Sequence, residues 1–267
     1  MNNDDFQGSS VWRRIKSRIP ASWKMLIVKL LDLNLVRILI QKFMKSTLSG
    51  VPYNFSIVPL EAVSSIYFGI WESAEVHMSL KYLHAERVII ECGSSLGVLA
   101  STMLNAISPE AQYVAIEANP KSFGVLLKQL ARYKNAILLN SAVSYPAGLI
   151  NFGATSILGG RVVLDDNKQA SDTIVQVHGA PLSELIDSLR IELSDHFSLI
   201  LDIEGMEGEI FARDQVFLTR AKYIVCELEN TSRYTIEQQS QLLFDLDFEI
   251  IERYDNVFTF ANRRRPL

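Results

Sequence analysis

The sequence predicts an α/β fold in which helices cover both faces of a doubly wound, mostly parallel sheet. Short apolar runs alternate with helix-length amphipathic stretches between residues 88 and 261, as expected for strands buried in such a sheet. A glycine-bearing turn follows the first apolar run directly. Composition agrees, because 48% of the 267 residues are hydrophobic and 21% are charged, which suits a globular chain with a sizeable core.

Seven strands are predicted from the apolar runs, at residues 88–92, 113–117, 136–139, 199–203, 223–229, 248–251 and 257–261. Residues 51–83, before the first strand, are predicted to form a loop followed by one helix. Two cysteines, Cys92 and Cys226, fall in predicted strands, so we expect reduced thiols in the core and a cytoplasmic protein. Four scattered histidines and the lack of C-x-x-C or H-x-x-x-H spacing argue against a metal site.

The charge is divided unevenly along the chain. Residues 1–46 carry nine Lys or Arg and three Asp, a net +6, whereas the remainder carries seventeen basic and twenty-seven acidic residues, a net −10. The acidic remainder argues against a nucleic-acid partner. We therefore expect a basic amphipathic helical extension over residues 1–50 and a catalytic domain over residues 51–267.

The extension shows a helical period from residue 11 to 45, and Pro20 divides it into two short helices, the second beginning near Ala21 or Ser22. Lys29 and Asp32 interrupt any transmembrane span, and the late apolar run lacks the cleavage site of a secretory signal. Two interpretations stay open. The helices pack on the acidic body or on a second subunit, which the charges favour, or residues 11–46 form a peripheral anchor at the inner face of a membrane.

The turn after the first strand has the features of a nucleotide site. Gly93 permits a tight corner, and Gly97 is expected to let the next helix pack near the sheet. The second strand ends in Glu117, where a carboxylate can accept both hydroxyls of a ribose. A dinucleotide fingerprint would need glycine where Ser95 and Val98 stand, and no phosphate-binding G-K-S or G-K-T occurs, so an S-adenosylmethionine pocket fits better.

Five segments together carry a family resemblance: I-Y-F-G-I-W-E (66–72), E-C-G-S-S-L-G (91–97), V-A-I-E-A-N-P (114–120), N-S-A-V-S (140–144) and L-D-I-E-G-M-E (201–207). In order, they resemble successive motifs of FkbM-family methyltransferases, over residues 66 to 261. The resemblance implies a class I methyltransferase (Rossmann-like) fold whose seven-stranded sheet has its last strand antiparallel. It also implies methylation of a hydroxyl on a sugar, glycan or related natural product.

Two departures from the family pattern stand out. Where the family has Asp-x-Gly-Ala-Asn-x-Gly, this chain has Glu91, Ser94 and Ser95, which changes the contact to the methionine portion of the cofactor. Ser183 stands where the family tends to have Asp.

The catalytic prediction rests on Asp202 and Glu204, at the carboxyl end of the predicted fourth strand. They are expected to act as a base or to orient the substrate, unless one of them only caps the following helix. Glu207 is assigned to that helix. The predicted cofactor contacts are Glu91, Gly93, Ser95, Gly97, Glu117, Asn140 and Ala142, the last two beside the adenine.

Substrate contacts are predicted further from the turn, at Trp71, Glu72, Arg161 and His178. Trp71 and Glu72 would form part of the pocket wall, and His178, in a loop, is an alternative base. Residues 153–161 are expected to form a mobile loop in which Arg161 holds an acidic group of the acceptor.

Two other functions remain open. One is an NAD-dependent oxidoreductase that uses the same turn, which the missing glycines oppose. The other is a noncatalytic, membrane-associated scaffold that retains the fold while the basic extension acts. If the chain both binds membranes and transfers methyl groups, a lipid-linked glycan becomes an attractive acceptor.

Overall fold

The computed structural model describes residues 34–145, 147–154, 159–163, 173–191, 193 and 197–265. The chain divides into two compact units, Met1–Trp71 and Glu72–Leu267. The predicted helix break at Pro20 and the helix start near Ala21 and Ser22 lie outside the described residues.

The first unit contains helices α1 (Asn34–Phe43) and α2 (Leu60–Tyr67), with a short 3-10 helix at Phe55–Ile57 between them. Helix α1 falls within the second predicted basic helix and packs against α2. The rings of Tyr53 and Phe55 are fully buried, with centroids 5.1 Å apart. Aromatic packing therefore contributes to the core of the described part of this unit, beside buried aliphatic residues such as Val63 and Ile66.

The second unit is built on a seven-stranded sheet with the order β10-β11-β9-β8-β1-β2-β3. Its strands are β1 (Val88–Cys92), β2 (Gln112–Ile116), β3 (Ala136–Leu139), β8 (Phe197–Leu201), β9 (Ala221–Glu227), β10 (Phe248–Tyr254) and β11 (Val257–Asn262). Neighbouring strands are parallel except at β11, which runs antiparallel to both β9 and β10. All seven predicted strands are present, and the last is antiparallel as expected.

Helices cover both faces of this sheet, at α3 (Ser73–Tyr82), α4 (Val98–Ala106), α5 (Pro120–Leu130), α6 (Leu182–Ser188), α7 (Glu207–Arg213), α8 (Gln215–Leu218) and α9 (Ile236–Phe244). Alternate residues of each central strand enter different apolar clusters. In β1, for example, Ile89 belongs to one cluster and Ile90 to the other. Two buried faces explain why these strands are continuous apolar runs in the sequence.

The region before β1 differs from the single predicted helix, because residues 51–83 contain α2, α3 and the 3-10 helix. Between α2 and α3 the backbone takes left-handed conformations at Gly69, with φ 63°, and at Glu72, with φ 47°. A left-handed residue cannot continue a right-handed α-helix, so one helix cannot span this region.

A second sheet of four strands lies in the chain between β3 and β8, with the order β4-β7-β5-β6. Its strands are β4 (Ala142–Val143), β5 (Gly148–Ala154), β6 (Arg161–Val162) and β7 (Thr173–Ala180). The expectation of a mobile loop over residues 153–161 is wrong at both ends, because Gly153 pairs with Arg161 in an antiparallel ladder. The strands of this second sheet are not among the predicted ones. Strands exposed on one side alternate polar and apolar residues, and this alternation is a weaker sequence signal than a continuous apolar run.

Both cysteines are free and buried, as predicted. Burial raises the pKa of the Cys92 and Cys226 thiols well above the usual range, because a thiolate is poorly solvated in the core. These thiols are therefore unreactive packing residues.

Candidate active site

The candidate site lies where β1, β2 and β8 end, side by side at the carboxyl edge of the sheet. The end of β1 and the turn after it are hydrogen-bonded to both neighbouring strand ends, those of β2 and β8. The backbone N–H of Gly93 donates to the Ile116 carbonyl at 2.9 Å, and the N–H of Asp202 donates to the Cys92 carbonyl at 3.0 Å. The three strand ends therefore form one rigid support for the side chains that follow them.

Gly93 is required by the packing of this support. Its φ is 92°, and a Cβ at this position would lie 1.8 Å from the carbonyl oxygen of Asp202. Gly97, with φ 75°, is also crowded, but by the Leu126 side chain of α5 at 2.8 Å. At Gly97 the close approach is therefore between the start of α4 and the side chains of α5.

Glu117 is held by two backbone N–H groups. Its Oε2 accepts a hydrogen bond from the Ser95 N–H at 2.7 Å, and its Oε1 accepts one from the Asn119 N–H at 2.6 Å. Burial raises the pKa of Glu117 to about 7, and these two bonds offset part of the rise. Each carboxylate oxygen has a further lone pair, so the group can still accept two hydroxyl hydrogens.

Ser95 takes a strained conformation in this arrangement, with φ 43°. A left-handed backbone costs a non-glycine residue about 1 kcal/mol or more. The left-handed conformation directs the Ser95 N–H toward Glu117. The resulting hydrogen bond connects the turn after β1 with the end of β2.

Asn140 lies beside the same strand end. Its Nδ2 donates to the backbone carbonyl of Glu117 at 2.7 Å and to that of Ala118 at 3.3 Å. Ala142, on β4, belongs to an apolar cluster with Phe152, against which Ala118 packs. The structure thus brings both predicted adenine-flanking residues close to the backbone that carries Glu117.

Glu91 is buried on β1 with an exposed fraction of 2%. Burial raises the pKa of Glu91 to about 7, while the nearby hydroxyls of Ser94 and Tyr113 partly offset this. These groups lie close together, yet Glu91 Oε2, Ser94 Oγ and Tyr113 Oη form no hydrogen bond of good geometry among the described residues, and neither does Ser95 Oγ. Buried polar atoms in this state are suited to ligand contacts.

Tyr113 and Ser94 were not predicted as site residues. Tyr113 occupies an apolar run, so its sequence context indicated only a strand, while Ser94 appeared as a departure from the family motif. Glu72 is a predicted site residue. Its charge raises the pKa of Tyr113, which indicates that Glu72 lies near the Tyr113 hydroxyl. It precedes α3, where its φ of 47° sets the direction in which the helix begins.

Asp202 lies among other acidic residues. Burial raises the pKa of Asp202 well above its usual range, and repulsion by the carboxylates of Glu227, Glu207, Glu75 and Glu204 raises it further. Glu75, on α3, and Glu227, at the end of β9, were not among the predicted site residues. Only the fold brings these elements together, so no local pattern could indicate Glu75.

Glu207 organises the loop that carries Asp202 and Glu204. Its carboxylate accepts hydrogen bonds from the N–H of Ile203 at 2.8 Å and from that of Gly205 at 2.9 Å. This is a structural role at the start of α7, in line with its assignment to the helix.

Glu204 interacts with a basic side chain as well as with acidic ones. Its backbone is left-handed, with φ 51°, and its charge interacts with that of Arg161 on β6. Burial and the carboxylate of Glu229 raise the pKa of Glu204, and Arg161 opposes this. The structure therefore brings Asp202, Glu204 and Arg161 to one part of the second unit.

The remaining predicted substrate contacts are His178 and Trp71. His178 is on β7, opposite Leu149, and is exposed, so its expected place in a loop is wrong. Trp71 is half-buried at the end of the first unit. Within the described ranges, no cluster of His, Cys, Asp or Glu has the arrangement of a metal site. None of the helices described is long and apolar enough to cross a membrane.

The strand order of the large sheet and its antiparallel β11 decide the fold class. The chain has a class I methyltransferase fold. No family model matches the sequence, and no curated protein matches it significantly.

Several solved structures resemble the chain at low identity. Fibrillarin from Aeropyrum pernix, with natively bound S-adenosyl-L-methionine, is 15% identical over 70% of this chain and 72% of its own, with a TM-score of 0.44. The methyltransferase FkbM from Methylobacillus flagellatus is 11% identical over 76% of this chain and 54% of its own, with a TM-score of 0.47. Human methyltransferase 10 domain containing protein is 12% identical over 89% and 96%, with a TM-score of 0.45. Likenesses this distant identify neither a ligand nor a substrate of this chain.

Proposed function

We propose that this protein is an S-adenosylmethionine-dependent methyltransferase of the FkbM type that methylates a hydroxyl of a sugar, glycan or related natural product. The observation that carries the proposal is the orientation of Glu117. Its two carboxylate oxygens are fixed by the Ser95 and Asn119 N–H groups at the end of β2, and both can still accept a hydroxyl hydrogen.

The residues at the sheet edge fit the cofactor in chemical type. Glu117 would accept hydrogen bonds from both ribose hydroxyls. The buried polar atoms of Glu91, Ser94 and Tyr113 would offer acceptors and hydroxyls to the charged amino-acid end. Asn140 and Ala142 would flank the adenine. When bound, the cofactor supplies a methyl group already activated by its sulfonium.

Asp202 is the proposed base. An acceptor hydroxyl must lose its proton as it is methylated, and a carboxylate with a raised pKa binds a proton more strongly than an ordinary one. Burial and the neighbouring carboxylates give Asp202 this property. Glu204, beside Arg161, is proposed to orient the acceptor.

The other parts of the proposal follow from the sequence. The net charge of −10 beyond residue 46 supports a small molecule or glycan as acceptor and opposes a nucleic acid. The free, buried cysteines are compatible with action in the cytoplasm. The predicted substrate contacts of Trp71, Glu72 and His178 remain part of this proposal.

Calorimetric titration with S-adenosylmethionine and, separately, with NAD tests the cofactor. We expect the wild-type protein to bind S-adenosylmethionine and not NAD, and Glu117→Gln to weaken binding about tenfold or more, since two charge-assisted hydrogen bonds are lost. Glu249→Gln, an exposed residue on β10, is the matched control and should bind as the wild type does. Binding of NAD alone, or of neither ligand, would refute the proposal.

A further inference from the structure

Helix α1 has one apolar side that is exposed. Four large apolar side chains on one side of the helix are well exposed: Leu35 at 67%, Ile38 at 48%, Leu39 at 46% and Phe43 at 61%. They occur at the spacing i, i+3, i+4 and i+8, which places them on a common face. We call these four residues the outer face of α1.

The opposite side of α1 already makes contacts within the first unit. Ile40 is buried, with an exposed fraction of 5%, and Gln41 donates from Nε2 to the Val58 carbonyl at 2.9 Å. The outer face is therefore not needed to hold α1 against α2. A contiguous exposed apolar surface of this kind indicates a binding function.

Positive charge accompanies the outer face. Lys42 occupies the same side of the helix, with its Nζ 5.6 Å from the ring centroid of Phe43, and Lys45 is nearby in sequence. The sequence contains no Asp or Glu between residues 33 and 60. The partner of this surface must therefore accept apolar side chains and carry negative charge.

The positive charge decides which of three possible partners fits the outer face. A second copy docked through the same face would bring more lysines and no acidic side chain from this segment to neutralise Lys42 and Lys45. Residues 1–33 of the same chain are also basic, with six Lys or Arg and three Asp. An anionic lipid surface provides both of the required properties, since acyl chains accept the apolar residues and headgroups attract the lysines.

We propose that α1 is an interfacial helix that docks the protein on an anionic membrane through Leu35, Ile38, Leu39 and Phe43, with Lys42 and Lys45 at the headgroups. The net charge of −10 beyond residue 46 opposes adsorption through other surfaces and so restricts docking to the basic segment. This inference is independent of the proposed methyltransferase activity.

Sedimentation of the full chain with vesicles tests the proposal. Vesicles of phosphatidylcholine alone are compared with vesicles that also contain phosphatidylglycerol, and binding is expected only to the second. The triple variant Leu35→Gln, Leu39→Gln, Phe43→Gln should reduce the partition coefficient about tenfold or more, because the apolar contact is lost. Its control carries Val216→Gln and Tyr254→Gln, which replace side chains exposed by 85% and 69% elsewhere, and should bind normally.

Charge variants test whether Lys42 and Lys45 contribute to membrane binding. Lys42→Gln with Lys45→Gln should weaken binding about fivefold per lysine, whereas Lys121→Gln with Lys128→Gln, exposed residues on α5, should not. Circular dichroism verifies that each variant is folded. The proposal is overturned if the wild-type chain binds neither kind of vesicle, or if the triple variant still binds. It is equally overturned if sedimentation equilibrium shows a dimer that the triple variant abolishes, since a second copy would then cover the face.

Discussion

The backbone N–H of Ser95 and the Oε2 of Glu117 are 2.7 Å apart, which joins the turn after β1 directly to the end of β2. Because Ser95 adopts a left-handed conformation to make this bond, the turn stores strain where the cofactor is proposed to bind. The bond also leaves Glu117 in a fixed orientation, with its carboxylate ready to accept ribose hydroxyls.

Binding of a ribose should depend on pH through Glu117. The pKa of Glu117 is raised to about 7, and the ionised carboxylate is the better hydrogen-bond acceptor, so affinity should rise as the pH increases through 7. Adenosine is a suitable probe because it has the ribose but no amino-acid end. We expect its dissociation constant to fall about tenfold between pH 6 and pH 8 in calorimetric titrations.

Two variants locate this pH dependence. Glu117→Gln should bind adenosine weakly at both pH values, while Glu91→Gln should retain the change with pH. A dependence that persists in Glu117→Gln would assign the titration to another group and contradict the role given to this carboxylate.

Gly93 should tolerate no side chain. Gly93→Ala would place a Cβ 1.8 Å from the Asp202 carbonyl oxygen and would strain a backbone with φ 92°. We expect a loss of about 3 kcal/mol or more in the free energy of unfolding, measured in urea. The control is Gly124→Ala in α5, where a Cβ meets nothing within 4 Å and should stabilise the helix by about 1 kcal/mol. Equal effects of the two substitutions would disprove the crowding at Gly93.

The buried acid Glu91 should lower the stability of the protein at high pH. Its folded-state pKa of about 7 lies above the ordinary value of 4.5, so its contribution is fully present below pH 4.5 and is lost as the pH rises through 7. Glu91→Gln stays neutral at every pH. At pH 8 this variant should be more stable than the wild type by about 1–3 kcal/mol, with little difference at pH 4.5.

Urea unfolding at the two pH values measures this difference. Glu249→Gln, which alters an exposed acid, should show no comparable change between them. A Glu91→Gln variant less stable than the wild type at pH 8 would mean that Glu91 is needed as an ion within the fold.

The departure from the family pattern at Ser183 has a structural counterpart in Asp214. Ser183 Oγ donates to Asp214 Oδ1 at 2.6 Å, and the Tyr145 hydroxyl donates to Asp214 Oδ2. A carboxylate thus reaches the start of α6 from the start of α8 and connects it with the segment after β4.

Removal of this carboxylate should leave two half-buried hydroxyl donors without an acceptor. We expect Asp214→Ala to reduce the free energy of unfolding by about 2–4 kcal/mol, because both hydrogen bonds are lost together. Ser188→Ala, which removes a single bond to the Leu185 carbonyl, is the control and should cost about 1 kcal/mol. If Asp214→Ala costs no more than the control, the three side chains do not act as a unit.

The large sheet could be predicted from the sequence because its central strands are buried on both faces. Apolar runs marked β1 and β3 to the residue, and Glu117 was found because it follows such a run. The second sheet escaped prediction, since strands like β7 are partly exposed and their pattern is mixed. The same limit applies to side chains that only the fold brings near each other, as with the carboxylates of Glu75 and Asp202.

The crystal structure of the protein grown with S-adenosylmethionine tests the central claim most directly. We predict that both ribose hydroxyls lie within hydrogen-bond distance of the Glu117 carboxylate and that the amino-acid end contacts Glu91, Ser94 or Tyr113. A cofactor bound away from the ends of β1 and β2, or a site that stays empty at saturating cofactor, would contradict the account.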